Sequence, residues 1–102
     1  MNLVIKSPVW EDLREIALRI AENNPDAADR FLLAAKESFE LLLCHPQIGR
    51  LRSFSVIGVR SWGIPDFQNY LIFYLPTGTE VQVLAVLQGA RDLAGALAQR
   101  LE

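Results

Sequence analysis

Two runs in the second half of the chain, Tyr70 to Leu75 and Val81 to Leu87, are apolar at almost every position. Pro76-Thr77-Gly78-Thr79 lies between them, so they read as the two arms of a β-hairpin. Neighbours in a strand point to opposite faces. One face of the first arm carries Leu71, Phe73 and Leu75, and the other carries Tyr70, Ile72 and Tyr74. Simple alternation places Val81, Val83, Ala85 and Leu87 on one side of the second arm, and Leu84 and Val86 on the other. A sheet built on this hairpin is apolar on both faces, and both need covering.

The first half of the chain supplies one cover. Ser7-Pro8 reads as a helix start, with serine as the cap and proline at the first helical position. Leu13, Ile16, Ala17 and Ile20 follow at helical spacing. Asn24-Pro25 repeats the signal, with Asp26 near the positive end of the next helix. Ala28, Phe31, Leu32, Ala35, Phe39 and Leu42 form a second stripe, which Pro46 ends. The expectation is an antiparallel helical hairpin over roughly residues 8–22 and 25–44.

Around it, Leu3-Val4-Ile5 reads as a first strand and Ile48-Gly49 as a turn. Val56-Ile57 and Val59 to Ile64 are β-rich. Gly89 breaks the last strand, and Leu93, Ala94, Leu97 and Leu101 give a short closing helix. The fold class is α+β, in the order β-α-α-β-β-β(-α), with the helical hairpin on one face of an antiparallel sheet. The second face falls to the closing helix or to another chain. The face bearing Arg60, Trp62, Tyr70, Ile72 and Tyr74 is expected to be the one the hairpin leaves open.

The 102 residues, half of them hydrophobic, make a single domain spanning 1–102. A net charge of −2 gives no reason to expect direct DNA binding. Cys44 and His45 are the sole Cys and His, so no internal disulfide forms, a metal site is poorly supplied, and no cofactor is expected. The chain shows neither a leader pattern nor a long apolar span, which points to a cytoplasmic protein without membrane contact.

Arg50, Arg52 and Arg60 are the only charges between His45 and Asp66. They read either as a patch for phosphate or an acidic partner, or as solubilising arginines bridged to Glu37 or Glu40. Trp62 shares a face with Arg60. Trp10 and Cys44 read as core. His45 reads as a contact at the end of the second helix, and Arg91-Asp92 as a local ion pair or a cap. A general base, an acid and phosphate-binding cations are what RNA cleavage needs, and the acid–base part of that set is mostly missing.

Five segments, in order, resemble those of one family. Asn24-Pro25-Asp26-Ala27-Ala28-Asp29-Arg30-Phe31 resembles a second-helix opening, and His45-Pro46-Gln47-Ile48-Gly49-Arg50 a following turn. Val59-Arg60-Ser61-Trp62 and Phe67-Gln68-Asn69-Tyr70-Leu71-Ile72-Phe73-Tyr74 resemble its strands, and Val86-Leu87-Gln88-Gly89-Ala90-Arg91-Asp92-Leu93 its closing segment. The family is the RelE/ParE toxin superfamily, in its ParE branch. Gln88 stands where the family often has His, and Ala85 where Arg is common.

The resemblance implies the toxin of a type II toxin–antitoxin system, of the kind linked to plasmid stabilisation, neutralised by a ParD-like antitoxin. It implies DNA gyrase as the target. Alternatives are ribosome-dependent mRNA cleavage, as in RelE, and a detoxified antitoxin-binding module. Target- or antitoxin-binding candidates are Arg50, Arg52, Arg60, Trp62, Phe67, Tyr70, Tyr74, Gln88 and Arg91; no catalytic residue is assigned. The antitoxin tail is expected on the face that carries Trp62 and Tyr74.

Overall fold

The computed structural model describes residues 1–89 and 93–100. Its elements are β1 (Asn2–Ile5), α1 (Ser7–Ala21), α2 (Pro25–Cys44), β2 (Arg50–Leu51), β3 (Arg60–Ile64), β4 (Phe67–Pro76), β5 (Glu80–Gln88) and α3 (Leu93–Arg100). α2 starts at the expected Pro25, and α1 starts one residue before the expected Pro8. Asn24 caps α2, its side chain accepting the Ala27 N–H at 3.1 Å. Ser7 is not the cap of α1: Lys6 occupies that position without a side-chain bond, and Ser7 is already helical.

The five strands run in the order β1-β5-β4-β3-β2. β2, β3, β4 and β5 are antiparallel neighbours, while β1 pairs parallel to β5. The sheet is therefore mixed. The α1–α2 crossover carries the chain from β1 back to the far edge, and the final hairpin then returns it beside β1. The expected β-rich stretch narrows to Arg60–Ile64; Val56-Ile57 lies outside any strand.

Both faces of the sheet are covered from within the chain. On one, Val9, Leu13, Ile16, Phe31, Ala35, Phe39 and Leu42 of the helical hairpin pack on Ile64, Ile72, Tyr74, Val81, Val83 and Val86. On the other, Leu97 of α3 is buried with Val59, Phe73, Leu84, Ala85 and Leu87. The hairpin thus sits on the Trp62, Tyr70, Ile72 and Tyr74 face, opposite to expectation. Alternation tells which side chains share a face but not which face the helices take.

β5 departs from simple alternation. Phe73 pairs with Ala85, but Tyr74 pairs with Val83, so Leu84 is an extra residue in a β-bulge. Leu84 and Ala85 consequently both face α3, and Val86 turns to the hairpin with Val81 and Val83. The expected grouping of Val81, Val83, Ala85 and Leu87 is split at this point. Without the bulge a single strand could not present Val83 and Val86 to the same core.

Candidate functional site

The arginine region is built around the turn that follows α2. Tyr74, with no exposed surface, points from β4 into the end of the helical hairpin. Its hydroxyl donates to the Pro46 carbonyl at 2.9 Å and accepts the Gly49 N–H at 2.8 Å. Arg60 holds the same turn from outside. Its guanidinium donates to the Gly49 carbonyl at 2.8 Å, the Gln47 carbonyl at 3.2 Å and Gln47 Oε1 at 2.6 Å. A Cβ on Gly49 would lie 2.7 Å from Tyr74 Cε1 and 2.8 Å from the Ser61 carbonyl, so only glycine lets the turn approach β3 and β4 this closely. Burial raises the Tyr74 pKa above 10.0, against smaller lowering effects of the Gly49 N–H and the Arg60 charge.

Arg52 is also engaged internally. It donates to Ser61 Oγ at 3.1 Å, and its guanidinium carbon stands 5.6 Å from the ring centroids of both Phe54 and Phe73. Neither Arg52 nor Arg60 reaches a helix carboxylate. Among the described residues the ion pairs are Arg14–Glu11 and Arg100–Asp12. Arg50 is exposed, and it shares a shallow recess with Ile48, Arg52, Ser61, Trp62, Gln68 and Leu71. Of the three arginines, it alone makes no contact here that commits it to the fold.

The aromatic candidates sit mostly against α2. Phe31 meets Phe67 at 5.4 Å and Tyr70 at 5.6 Å between ring centroids, both edge-on. Phe67 and Tyr70 are half-buried, as is Trp62, whose indole N–H is buried without a partner. Tyr70 and Gln88 are direct cross-strand partners, with Gln88 half-buried at the end of β5. Arg91 lies outside the described residues, as does Asp92. Tyr74 has no surface to offer another chain while the fold is intact.

An unexpected surface lies on the outer side of the helical hairpin. Trp10 is 58 % exposed, not core, and Leu18 and Leu32 are also exposed. With Leu3, Ile5, Ala17, Ala21 and Phe39 they line an open apolar groove of about 760 Å³ between α1, α2 and β1. Arg14, Asp29, Lys36 and Glu40 stand around it, so both charge signs border an apolar floor. Leu32 lies about 100° around α2 from buried Phe31, which turns it from the sheet toward this groove. Cys44, read as core, is exposed.

The family model for the ParE toxin of type II toxin-antitoxin systems, parDE, matches residues 3–93. The chain belongs to this ParE toxin family. Among solved structures it is similar to one described as the chromosomal ParDE TA system from P. aeruginosa, with a TM-score of 0.71 and 21 % sequence identity. That match covers 86 % of this chain and 95 % of the other, and at this identity it bears on the fold alone. No curated protein matches. Three of the five resembling segments, the turn, β3 and β4 segments, meet at the Gly49–Arg60–Tyr74 junction.

The junction makes a poor catalytic site. Its tyrosine is buried and bonded on both sides, and its arginine is spent on carbonyls. His45 is exposed and caps α2 through its backbone N–H, which donates to the Leu41 carbonyl at 2.8 Å. Ala85, where the family often has Arg, is wholly buried beside Leu97; a long cation there would have to displace α3. Among the described residues no group of three or more His, Cys, Asp and Glu could hold a metal ion, and no helix is long and apolar enough to cross a membrane.

Proposed function

We propose that this ParE toxin is neutralised by a ParD-like antitoxin whose amphipathic segment lies in the groove between α1 and α2, and that the free toxin acts by binding DNA gyrase. The groove carries the reading. An exposed Trp10 beside Leu18 and Leu32 leaves apolar surface that none of the described residues covers. Its apolar floor suits the apolar face of an amphipathic segment, and its mixed rim of Arg14, Lys36, Asp29 and Glu40 offers both charge signs to that segment's polar side. The surface expected from sequence, around Trp62 and Tyr74, is instead closed by the hairpin, leaving the half-buried edges of Trp62, Phe67, Tyr70 and Gln88. Exposed Arg50 stands beside them at the edge strand β2, paired with Ser61 and so on the other face. These residues are the proposed target-facing set, with Arg50 as its free cation.

Gyrase as target rests on the ParE branch to which the chain belongs. A non-enzymatic action is supported by the junction's chemistry, since Arg52, Arg60 and Tyr74 are engaged in holding the fold. The test is induced expression without the antitoxin. A DNA-damage response ahead of any fall in translation is the expected result. Prompt translation arrest with site-specific mRNA cleavage would replace this reading with the RelE-type one, and normal growth would replace it with a detoxified antitoxin-binding module.

A further inference from the structure

β5 is longer than its neighbour can cover. Its nine residues run from Glu80 to Gln88, but β1 pairs only with Glu80 to Val83. The Lys6 N–H donating to the Val83 carbonyl at 3.0 Å extends that pairing by one further bond. Beyond it, among the described residues, no strand lies against the β1 side of Leu84–Gln88.

Two charged side chains stand in the missing strand's place. Asp12 of α1, only 8 % exposed, accepts the Val86 N–H at 3.0 Å. Arg100 of α3 donates to the Leu84 carbonyl at 3.3 Å and grips both carboxylate oxygens of Asp12, at 2.6 and 2.9 Å. A bidentate, charge-assisted pair of this kind is among the stronger side-chain contacts available. The same helix seats Leu97 over Phe73, Leu84, Ala85 and Leu87. One pair thus ties α1, α3 and β5 together at the bulge.

We propose that the Asp12–Arg100 pair is a lock that keeps α3 docked and the Leu84–Gln88 edge closed to strand addition, and that opening it lets the chain pair with a second copy through this edge. An apolar strand with free N–H and C=O groups is a template for another strand. Leu84-Ala85-Val86-Leu87-Gln88 carries no charge of its own, so once the Asp12 carboxylate leaves the Val86 N–H two copies of the edge do not repel. Run antiparallel about Val86, the segment is its own partner, which gives a two-fold interface of identical halves. The apolar face that α3 vacates lies beside it and would be buried in the same event.

The experiment compares the full chain with Asp12→Ala and Arg100→Gln by amide hydrogen exchange and by light scattering after size exclusion. The wild type should be monomeric with a protected Val86 amide. Asp12→Ala removes the acceptor of the Val86 N–H and the partner of Arg100 together. It should exchange at Val86 at least tenfold faster and shift toward dimer as concentration rises, with its melting still cooperative. Arg100→Gln leaves the Asp12 carboxylate on the Val86 N–H, so exchange should rise more at Leu97 than at Val86. Should Asp12→Ala fail to fold, Asp12→Asn, which keeps an oxygen but not the charge, should show the same changes in weaker form. Unchanged exchange at Val86 and Leu97 overturns the lock. Faster exchange in a chain that stays monomeric at all concentrations overturns the self-pairing.

Discussion

The Gly49 N–H donates to the Tyr74 hydroxyl at 2.8 Å, joining the turn after α2 to a buried residue of β4. That hydroxyl in turn donates a hydrogen bond to the Pro46 carbonyl, so one buried side chain holds two backbone groups of the turn. Arg60 closes the turn from outside through Gln47 and Gly49. Residues from three of the five resembling segments therefore meet in one hydrogen-bonded knot whose work is to fix the end of α2 against β3 and β4.

Removing the hydroxyl should cost stability, because it leaves the Gly49 N–H and the Pro46 carbonyl without their partner in a buried place. Tyr74→Phe is expected to lower unfolding free energy by about 1–3 kcal/mol. Gly49→Ala should cost a similar or larger amount, since its Cβ would press on Tyr74 and on the Ser61 carbonyl. Urea unfolding of both variants checks this; a Tyr74→Phe midpoint equal to the wild type's would remove the knot from the account.

The same hydroxyl sets a response to alkali. Burial raises the Tyr74 pKa above 10.0, so the folded state binds the phenolic proton more tightly than the unfolded state does. Its contribution is fully present below pH 10 and is lost as pH climbs through the raised value. Wild-type stability should therefore fall more steeply above pH 10 than that of Tyr74→Phe. Parallel curves in a pH series of thermal melts would contradict it.

Arg60 should tolerate no exchange for lysine. Its fork serves three oxygens at once, and an ammonium cannot reproduce that geometry. Arg60→Lys is expected to cost about 1–2 kcal/mol, whereas Arg50→Lys should lie within about 0.5 kcal/mol of the wild type. Equal melting temperatures for the two would show that Arg60 is a surface cation like Arg50.

Much of this molecule was legible in its sequence. Proline and asparagine marked the hairpin helices, and alternation sorted Tyr70, Ile72 and Tyr74 from Leu71, Phe73 and Leu75. Four things were not legible. The choice of face is set by long-range packing: Phe31 against Phe67 and Tyr70 leaves no local trace. The bulge at Leu84 hides in an unbroken apolar run, where no polar residue reports the change of phase. Asp12 gave a partial sign, standing three residues after Val9 and four before Ile16 on the buried stripe, but its partner Arg100 is at the other end of the chain. Trp10 misled because a large aromatic beside a stripe is usually inside, and here it lines an open groove on the outer side of the helical hairpin.

Whether the antitoxin occupies that groove is the most direct test of the account. Calorimetry should titrate the cognate ParD-like antitoxin into wild type, Trp10→Ala and Trp62→Ala, each first shown by melting to be folded. Trp10 is exposed, so its loss should leave the fold intact yet weaken binding by about 2 kcal/mol or more, roughly thirtyfold. Trp62→Ala should bind as the wild type does. Unchanged affinity in Trp10→Ala together with lost affinity in a folded Trp62→Ala would place the antitoxin on the β3 edge and contradict the groove.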